Sequence, residues 1–150
     1  MSANGQGKPT TFFIDDREVD IRPGETIFRA ARRLDIKLPH LCYSPKPGYR
    51  PDGNCRVCMV EVEGERVLAA SCQRKPSAGM KVKTASERAK KSREMVFELL
   101  AADQPAREES HDPKSKFWNW IDAMGVQPTA RFGHAERPVA DNTHTAISVN

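Results

Sequence analysis

All four cysteines of this 150-residue chain fall in one stretch, as Cys42, Cys55, Cys58 and Cys72. Gaps of twelve, two and thirteen residues separate them in turn. No other feature constrains the fold as much. A Cys-x-x-Cys turn holds two thiols at one edge of a site, so the single cysteines on either side must be brought in from distant parts of the chain. Tyr43 to Asn54 provide the first long loop. Gly48 and Gly53 can take positive φ there, and Pro45, Pro47 and Pro51 stiffen its turns. A loop with few large side chains can wrap closely and turn backbone N–H groups toward sulfur.

Four thiolates are the usual shell of a two-iron, two-sulfide cluster. Four cysteines also bind structural zinc, more often through two Cys-x-x-Cys knuckles than through the one present here. Two disulfides would suit a secreted chain, but Met1-Ser2-Ala3-Asn4-Gly5 has no apolar run of a signal peptide. A thioredoxin-like redox pair would employ Cys55 and Cys58 and leave the others idle. The spacing favours a metal or cluster site and does not choose iron over zinc.

Taken in order, residues 1–9 read as a loose polar leader. Thr11 to Ile14 is a strand, Asp15-Asp16-Arg17 a turn and Glu18 to Ile21 a returning strand. After the break at Arg22-Pro23-Gly24-Glu25, a helix is expected from Thr26 to Leu34, with Ile27, Ala30, Ala31 and Leu34 on one face. Arg29, Arg32 and Arg33 fall off that face and read as solvated. Ile36 to Leu41 is extended, and His40 is given a structural role because four cysteines already fill a shell. Tyr43 and Tyr49 are expected to pack against the loop; Arg56 either offsets charge at the site or faces water. Cys58–Val62 and Arg66–Ala70 form a second hairpin that carries Cys58 and Cys72 at its ends, and Met80–Lys83 is the last strand. Ser86 caps a helix that runs to Ala102. Its apolar side is Ala89, Val96, Leu99 and Leu100, and Arg88, Lys90, Lys91 and Arg93 form a solvated basic face.

The run Gly53-Asn54-Cys55-Arg56-Val57-Cys58-Met59-Val60-Glu61-Val62-Glu63-Gly64, with Ala70-Ser71-Cys72, resembles the N-terminal [2Fe–2S] domain of large dehydrogenase subunits. That family includes the large iron–sulfur subunit of respiratory complex I, the diaphorase subunits of NAD-reducing hydrogenases and the large subunit of NAD-dependent formate dehydrogenase. The similarity continues through Gly79-Met80-Lys81-Val82 and Val96-Phe97-Glu98-Leu99-Leu100. It implies Cys42, Cys55, Cys58 and Cys72 as ligands of one [2Fe–2S] cluster, and an α+β architecture of the β-grasp type over residues 10–84. A following helix at 85–102 and a helical and extended tail at 103–150 complete the expected organisation. The first cysteine gap departs from the plant-type ferredoxin pattern, where four residues separate the first two ligands, so the cluster loop should differ.

In the complex I family the helix leads to a His-Pro pair and to cysteines for a further cluster. Gln104-Pro105 stands in that place here and no cysteine follows, so that second cluster is not expected. The tail should contain a helix capped by Asp112, with Pro113 at its first position and Gly125 at its end. Phe117, Trp120, Ile121 and Met124 make its apolar stripe, free to pack on the preceding domain or to dock a partner. From Phe117-Trp118-Asn119-Trp120 onward the chain is similar to the formate dehydrogenase large subunit just before its next cysteine-rich module. The sequence stops at that border, as either a fragment or a natural short chain. Gln127 to Asn150 is polar and extended, and His134 and His144 are assigned to loop.

Hydrophobic residues make up 38% of the chain, enough for one modest core, and no apolar run reaches bilayer length. The net charge of +4 raises nucleic acid as a partner, but acidic residues interrupt the basic ones and no aromatic–basic platform is present. A basic face for an acidic redox partner is the better use of the charge. No glycine-rich nucleotide motif and no acid–base constellation appears, so turnover is not expected from this chain alone. The expectation is a cytoplasmic one-electron carrier with a low potential, on the order of −400 mV by analogy with thiolate-ligated plant-type centres. The resemblance implies flavin/NAD-binding and molybdenum-cofactor subunits of a formate or NADH dehydrogenase as its partners. A free-standing ferredoxin and a zinc-stabilised interaction module are the alternatives.

Overall fold

A computed structural model describes residues 10–127, 131–133 and 139–146. The expected leader at 1–9 and His134 lie outside the described residues. The chain divides into two compact units, residues 1–94 and 95–150.

The first unit holds a five-stranded sheet and a crossing helix. β1 is Thr11–Ile14, β2 Arg17–Asp20, α1 Ile27–Arg33, β3 Met59–Val62, β4 Ala69–Ala70 and β5 Lys81–Lys83. The strand order is β2-β1-β5-β3-β4. Neighbours are antiparallel except β1 and β5, which run parallel with Phe13 opposite Lys81. The first hairpin is tighter than expected. Ile14 pairs with Arg17, so only Asp15 and Asp16 form the loop, at φ 47° and 64°. Two positive φ values are what a type I′ turn demands, and Asp tolerates them. The returning strand is therefore displaced by one residue from the expected Glu18–Ile21.

Alternation on the strands decides which side is buried. Phe12, Ile14, Val60, Val62 and Val82 face inward, and Lys81 and Lys83 stay exposed. They form one apolar cluster with Ile27, Phe28, Ala30 and Ala31 of α1. Each large side chain fully buried this way contributes roughly 1.5–3 kcal/mol. Thr26 caps α1 by accepting from the Arg29 amide. The next orphan amides of the helix are satisfied from the other end of the hairpin: Ile27 N–H donates to the Arg74 carbonyl and Phe28 N–H to the Ser71 carbonyl, both at 2.9 Å. That pair of bonds fixes the Cys72 segment against α1.

Several expectations need correction. β4 is two residues long, not five. The Arg66 carbonyl accepts from the Arg88 guanidinium instead of a strand amide, and Val67 is exposed, so the return arm leaves the ladder before Ala69. Arg33 is not a solvated cation. Its guanidinium holds Glu25 at 2.8 Å and Asp20 at 2.9 Å, tying α1 to the end of β2. Tyr49 does not pack; it is 62% exposed, whereas Tyr43 is buried.

α2 spans Glu87–Ala102, with the Ser86 hydroxyl accepting from the Ala89 amide at 3.2 Å, and the division between the units falls within it. Its buried stripe is Ala89, Arg93, Phe97 and Ala101, stepping four residues each time. Leu99, expected on the apolar side, is 52% exposed, and Arg93, expected in water, is 7% exposed.

In the second unit α2 is followed by a 3₁₀ turn at Arg107–Glu109 and by α3, Lys116–Met124. α3 begins later than expected. Asp112 uses its carboxylate to accept from the Lys114 amide at 3.0 Å, and Ser115 takes the N-cap position. Ile121 is buried as expected; Trp118 joins it, while Phe117, Trp120 and Met124 are only half-buried. Gly125 ends the helix at φ 64°. Arg107 clamps Asp122 with two bonds of 2.7 and 3.0 Å and lies over the Trp118 ring at 5.6 Å. His144 accepts from the Ala146 amide. Among the described residues, no helix is long and apolar enough to cross a membrane.

Candidate metal centre

The four cysteines are free thiols, and they come as two pairs of different character. Cys42 and Cys55 belong to the long loop and its far end, and both are half-buried. The Cys55 amide N–H points at Cys42 Sγ at 3.5 Å. Between Cys55 and Cys58 the chain kinks at Arg56, which is exposed at φ 55° while Val57 is fully buried. A non-glycine residue in this conformation costs roughly 1–2 kcal/mol, and here it turns the Val57 amide back toward Cys55. Burial would raise the Cys55 thiol, but amides of Cys42, Val57 and Leu41 favour its thiolate and carry it below the ordinary value. Burial is also the main cause that pushes the Cys42 thiol up.

Cys58 and Cys72 are each 1% exposed and stand at the ends of the β3–β4 hairpin. The Cys72 thiol donates to Cys58, and with the Cys72 amide it lowers Cys58 to about 6. Cys72 is raised for the complementary reasons: it is the donor in that bond, it is buried, and the charges of Cys58, Cys42 and Cys55 oppose its ionisation. All four sulfurs thus share one electrostatic neighbourhood. A structural zinc site gathers four donors around one point. Two thiol pairs, one beside the other, suit a pair of irons with two protein sulfurs each. The donor set fits a two-iron cluster.

The supporting roles of three residues were not read from the sequence. Ser71 is fully buried; its hydroxyl donates to the Cys58 carbonyl at 2.7 Å and its amide to the same oxygen at 3.3 Å, so the inner pair is bridged through backbone. Gln73 donates from Nε2 to the Pro51 carbonyl at 3.3 Å and covers Gly53, whose φ is 68°. A Cβ on Gly53 would lie 2.8 Å from the Gln73 side chain. The loop is thereby strapped to the residue after Cys72. The third is Arg93, whose regular four-residue spacing from Ala89 and Phe97 was the available signal of its burial. His40 packs edge-on against Phe28 at 5.0 Å, with Nδ1 bonded to the Leu38 carbonyl, a packing role as expected.

Residues 7–87 match the model of the 2Fe-2S iron-sulfur cluster binding domain. The chain is 43% identical over 98 residues to the NADP-reducing hydrogenase subunit HndD of Solidesulfovibrio fructosivorans, covering 63% of this chain and 17% of that protein. It is 42% identical over 92 residues to the mitochondrial NADH-ubiquinone oxidoreductase 78 kDa subunit of Candida albicans, covering 61% of this chain and 12% of that one. For an NADH-quinone oxidoreductase subunit of Rickettsia typhi the identity is 37%, with 61% and 13% covered. The chain thus spans less than a fifth of the length of these relatives. An NAD+-reducing [NiFe]-hydrogenase in its H2-reduced state has a similar structure, with a TM-score of 0.75, 25% identity, and coverage of 93% of this chain and 59% of that one. The α+β sheet and its helices are the 2Fe-2S ferredoxin-like β-grasp arrangement. This chain belongs to the 2Fe-2S iron-sulfur cluster binding domain family.

Proposed function

We propose that Cys42, Cys55, Cys58 and Cys72 hold one [2Fe–2S] cluster, and that the chain is an electron-carrying module of a multi-subunit NAD-linked oxidoreductase. The observation that carries this reading is the arrangement of the thiols as two pairs, in a chain that matches a 2Fe-2S binding family over residues 7–87. When bound, such a cluster supplies a one-electron couple. The chain's own residues do the rest. Cys58 and Cys72, at the ends of the β3–β4 hairpin and buried in one cluster with α1, keep water from one side of the site. Cys42 and Cys55 lie nearer the surface, on the side where a partner can approach. Arg29, Arg32 and Lys46 line a groove with Pro45 and Pro47 beside the Cys42 loop, a basic surface suited to an acidic redox partner. Arg29 is oriented there by donating to the Tyr43 hydroxyl at 2.9 Å.

Within that class we read formate as the substrate of the whole assembly, on the similarity of the Phe117-to-Asn150 segment to the formate dehydrogenase large subunit. Partner subunits would then bring a flavin/NAD site and a molybdenum cofactor, in a reducing compartment such as the cytoplasm that keeps four free thiols available. The test is anaerobic reconstitution with ferrous iron and sulfide, reduction by dithionite, and EPR. A reduced-cluster signal lost on substituting the cysteines supports the ligand assignment; a colourless protein that binds one zinc overturns it. Copurification with a formate-oxidising subunit and an NAD-binding one supports the assembly. Recovery with a lone ferredoxin reductase instead overturns that part.

A further inference from the structure

We propose that Arg93 is a buried positive charge that raises the reduction potential of the centre, acting through the backbone beside Cys58. The inference rests on the reading of Cys58 as a cluster ligand. Arg93 lies in the first half of α2 and is 7% exposed. Its Nε donates to the Met59 carbonyl at 2.9 Å, on the residue that follows Cys58, and a terminal nitrogen donates to the Thr84 carbonyl. No carboxylate pairs directly with it among the described residues, unlike Arg33, Arg74 or Arg107.

A guanidinium removed from water and left without a direct counter-ion is costly unless charge elsewhere compensates. Two groups supply it here. Burial lowers the Arg93 guanidinium, and the negative charges of Cys58 and Asp15 act to raise it again. Arginine stays protonated throughout the working range. Asp15 is one residue-step removed from Arg93: its carboxylate accepts from the Thr84 amide at 2.7 Å and from the Thr84 hydroxyl, while Arg93 holds the Thr84 carbonyl. Arg93 and Asp15 thus set opposing charges on one rigid backbone segment. Uptake of one electron adds one negative charge at the centre, and the field of a nearby cation in a low-dielectric interior favours the more negative state.

The test is a mediated one-electron titration of the reconstituted full chain, with dithionite as reductant, followed by EPR. Arg93→Gln lowers the equilibrium constant for reduction tenfold or more, about 59 mV for a one-electron couple, and Arg93→Lys restores most of the shift. Asp15→Asn moves the potential the other way, and asparagine suits the positive φ at that turn. This second variant keeps the inference open to refutation if Arg93→Gln fails to assemble. A cluster whose potential is unchanged in Arg93→Gln, or is not raised in Asp15→Asn, overturns the role of Arg93 while leaving the ligand assignment standing. Failure of the wild-type chain to form a two-iron cluster overturns the ligand assignment itself.

Discussion

The two thiol pairs differ in how they are held, although they share one short stretch of chain. Cys58 and Cys72 flank the β3–β4 hairpin, bridged by Ser71 and locked to α1 through the amides of Ile27 and Phe28. Cys42 and Cys55 hang on a loop whose supports are the strap from Gln73 to Pro51 and the left-handed kink at Arg56. The contrast separates two jobs. A buried pair beside the strands fixes position and excludes solvent, and on the proposed reading a half-buried pair on a loop leaves an approach for a partner.

The strongest way to break this comparison is to shorten the ligands. Cys58→Ser or Cys72→Ser should abolish the cluster, because neither the rigid hairpin nor the packed core can move to meet a shorter bond. Cys42→Ser or Cys55→Ser should retain a fraction of a perturbed, serine-ligated cluster, since the loop can adjust. Visible absorption and EPR of the four variants read this directly; equal behaviour of all four would erase the distinction. Next in size is Gly53→Ala. Positive φ at 68° and the contact with Gln73 should together cost roughly 1–2 kcal/mol, seen as a lower thermal midpoint and faster cluster loss. Adding Gln73→Ala should relieve the steric part but not the backbone part, so the two substitutions should be non-additive.

Ser71→Ala should cost about 1 kcal/mol, the net worth of one hydrogen bond. The Cys58 carbonyl keeps the Ser71 amide as a donor, so the loss is partial. Its effect on cluster lifetime should be smaller than that of Gly53→Ala. The smallest effect is expected in the second unit. Arg107 holds the Asp122 carboxyl below its ordinary value of 3.8. That stabilisation is present above the ordinary value and is lost as pH falls through the lowered one. Asp122→Asn should therefore flatten the acid limb of an unfolding curve slightly and leave the cluster spectrum untouched. A spectral change would show that the second unit bears on the centre.

Much of this was written in local pattern. A short apolar run marked β1, alternation marked β3, the run after the Pro76–Gly79 turn marked β5, Thr26 and Ser86 marked helix starts, and Gly125 marked a helix end. What eluded local reading involved side chains whose partners are distant in sequence. Arg33 meets Asp20 and Glu25, Arg88 reaches the Arg66 carbonyl and shortens β4, and Arg93 reaches Met59 and Thr84. A charged residue is assigned to water by default, and only the folded chain supplies the carbonyls and carboxylates that bring it inside. Asp112 illustrates the reverse case. A good capping residue was present, but its carboxylate closed a local turn and left the cap position to Ser115. The four cysteines were legible from spacing as a site; their division into a rigid pair and a loop pair was not.

The most direct test of the central claim is the iron and acid-labile sulfide content of the anaerobically reconstituted full chain. About two iron and two sulfide per chain are expected. One zinc per chain with no sulfide would contradict the two-iron assignment.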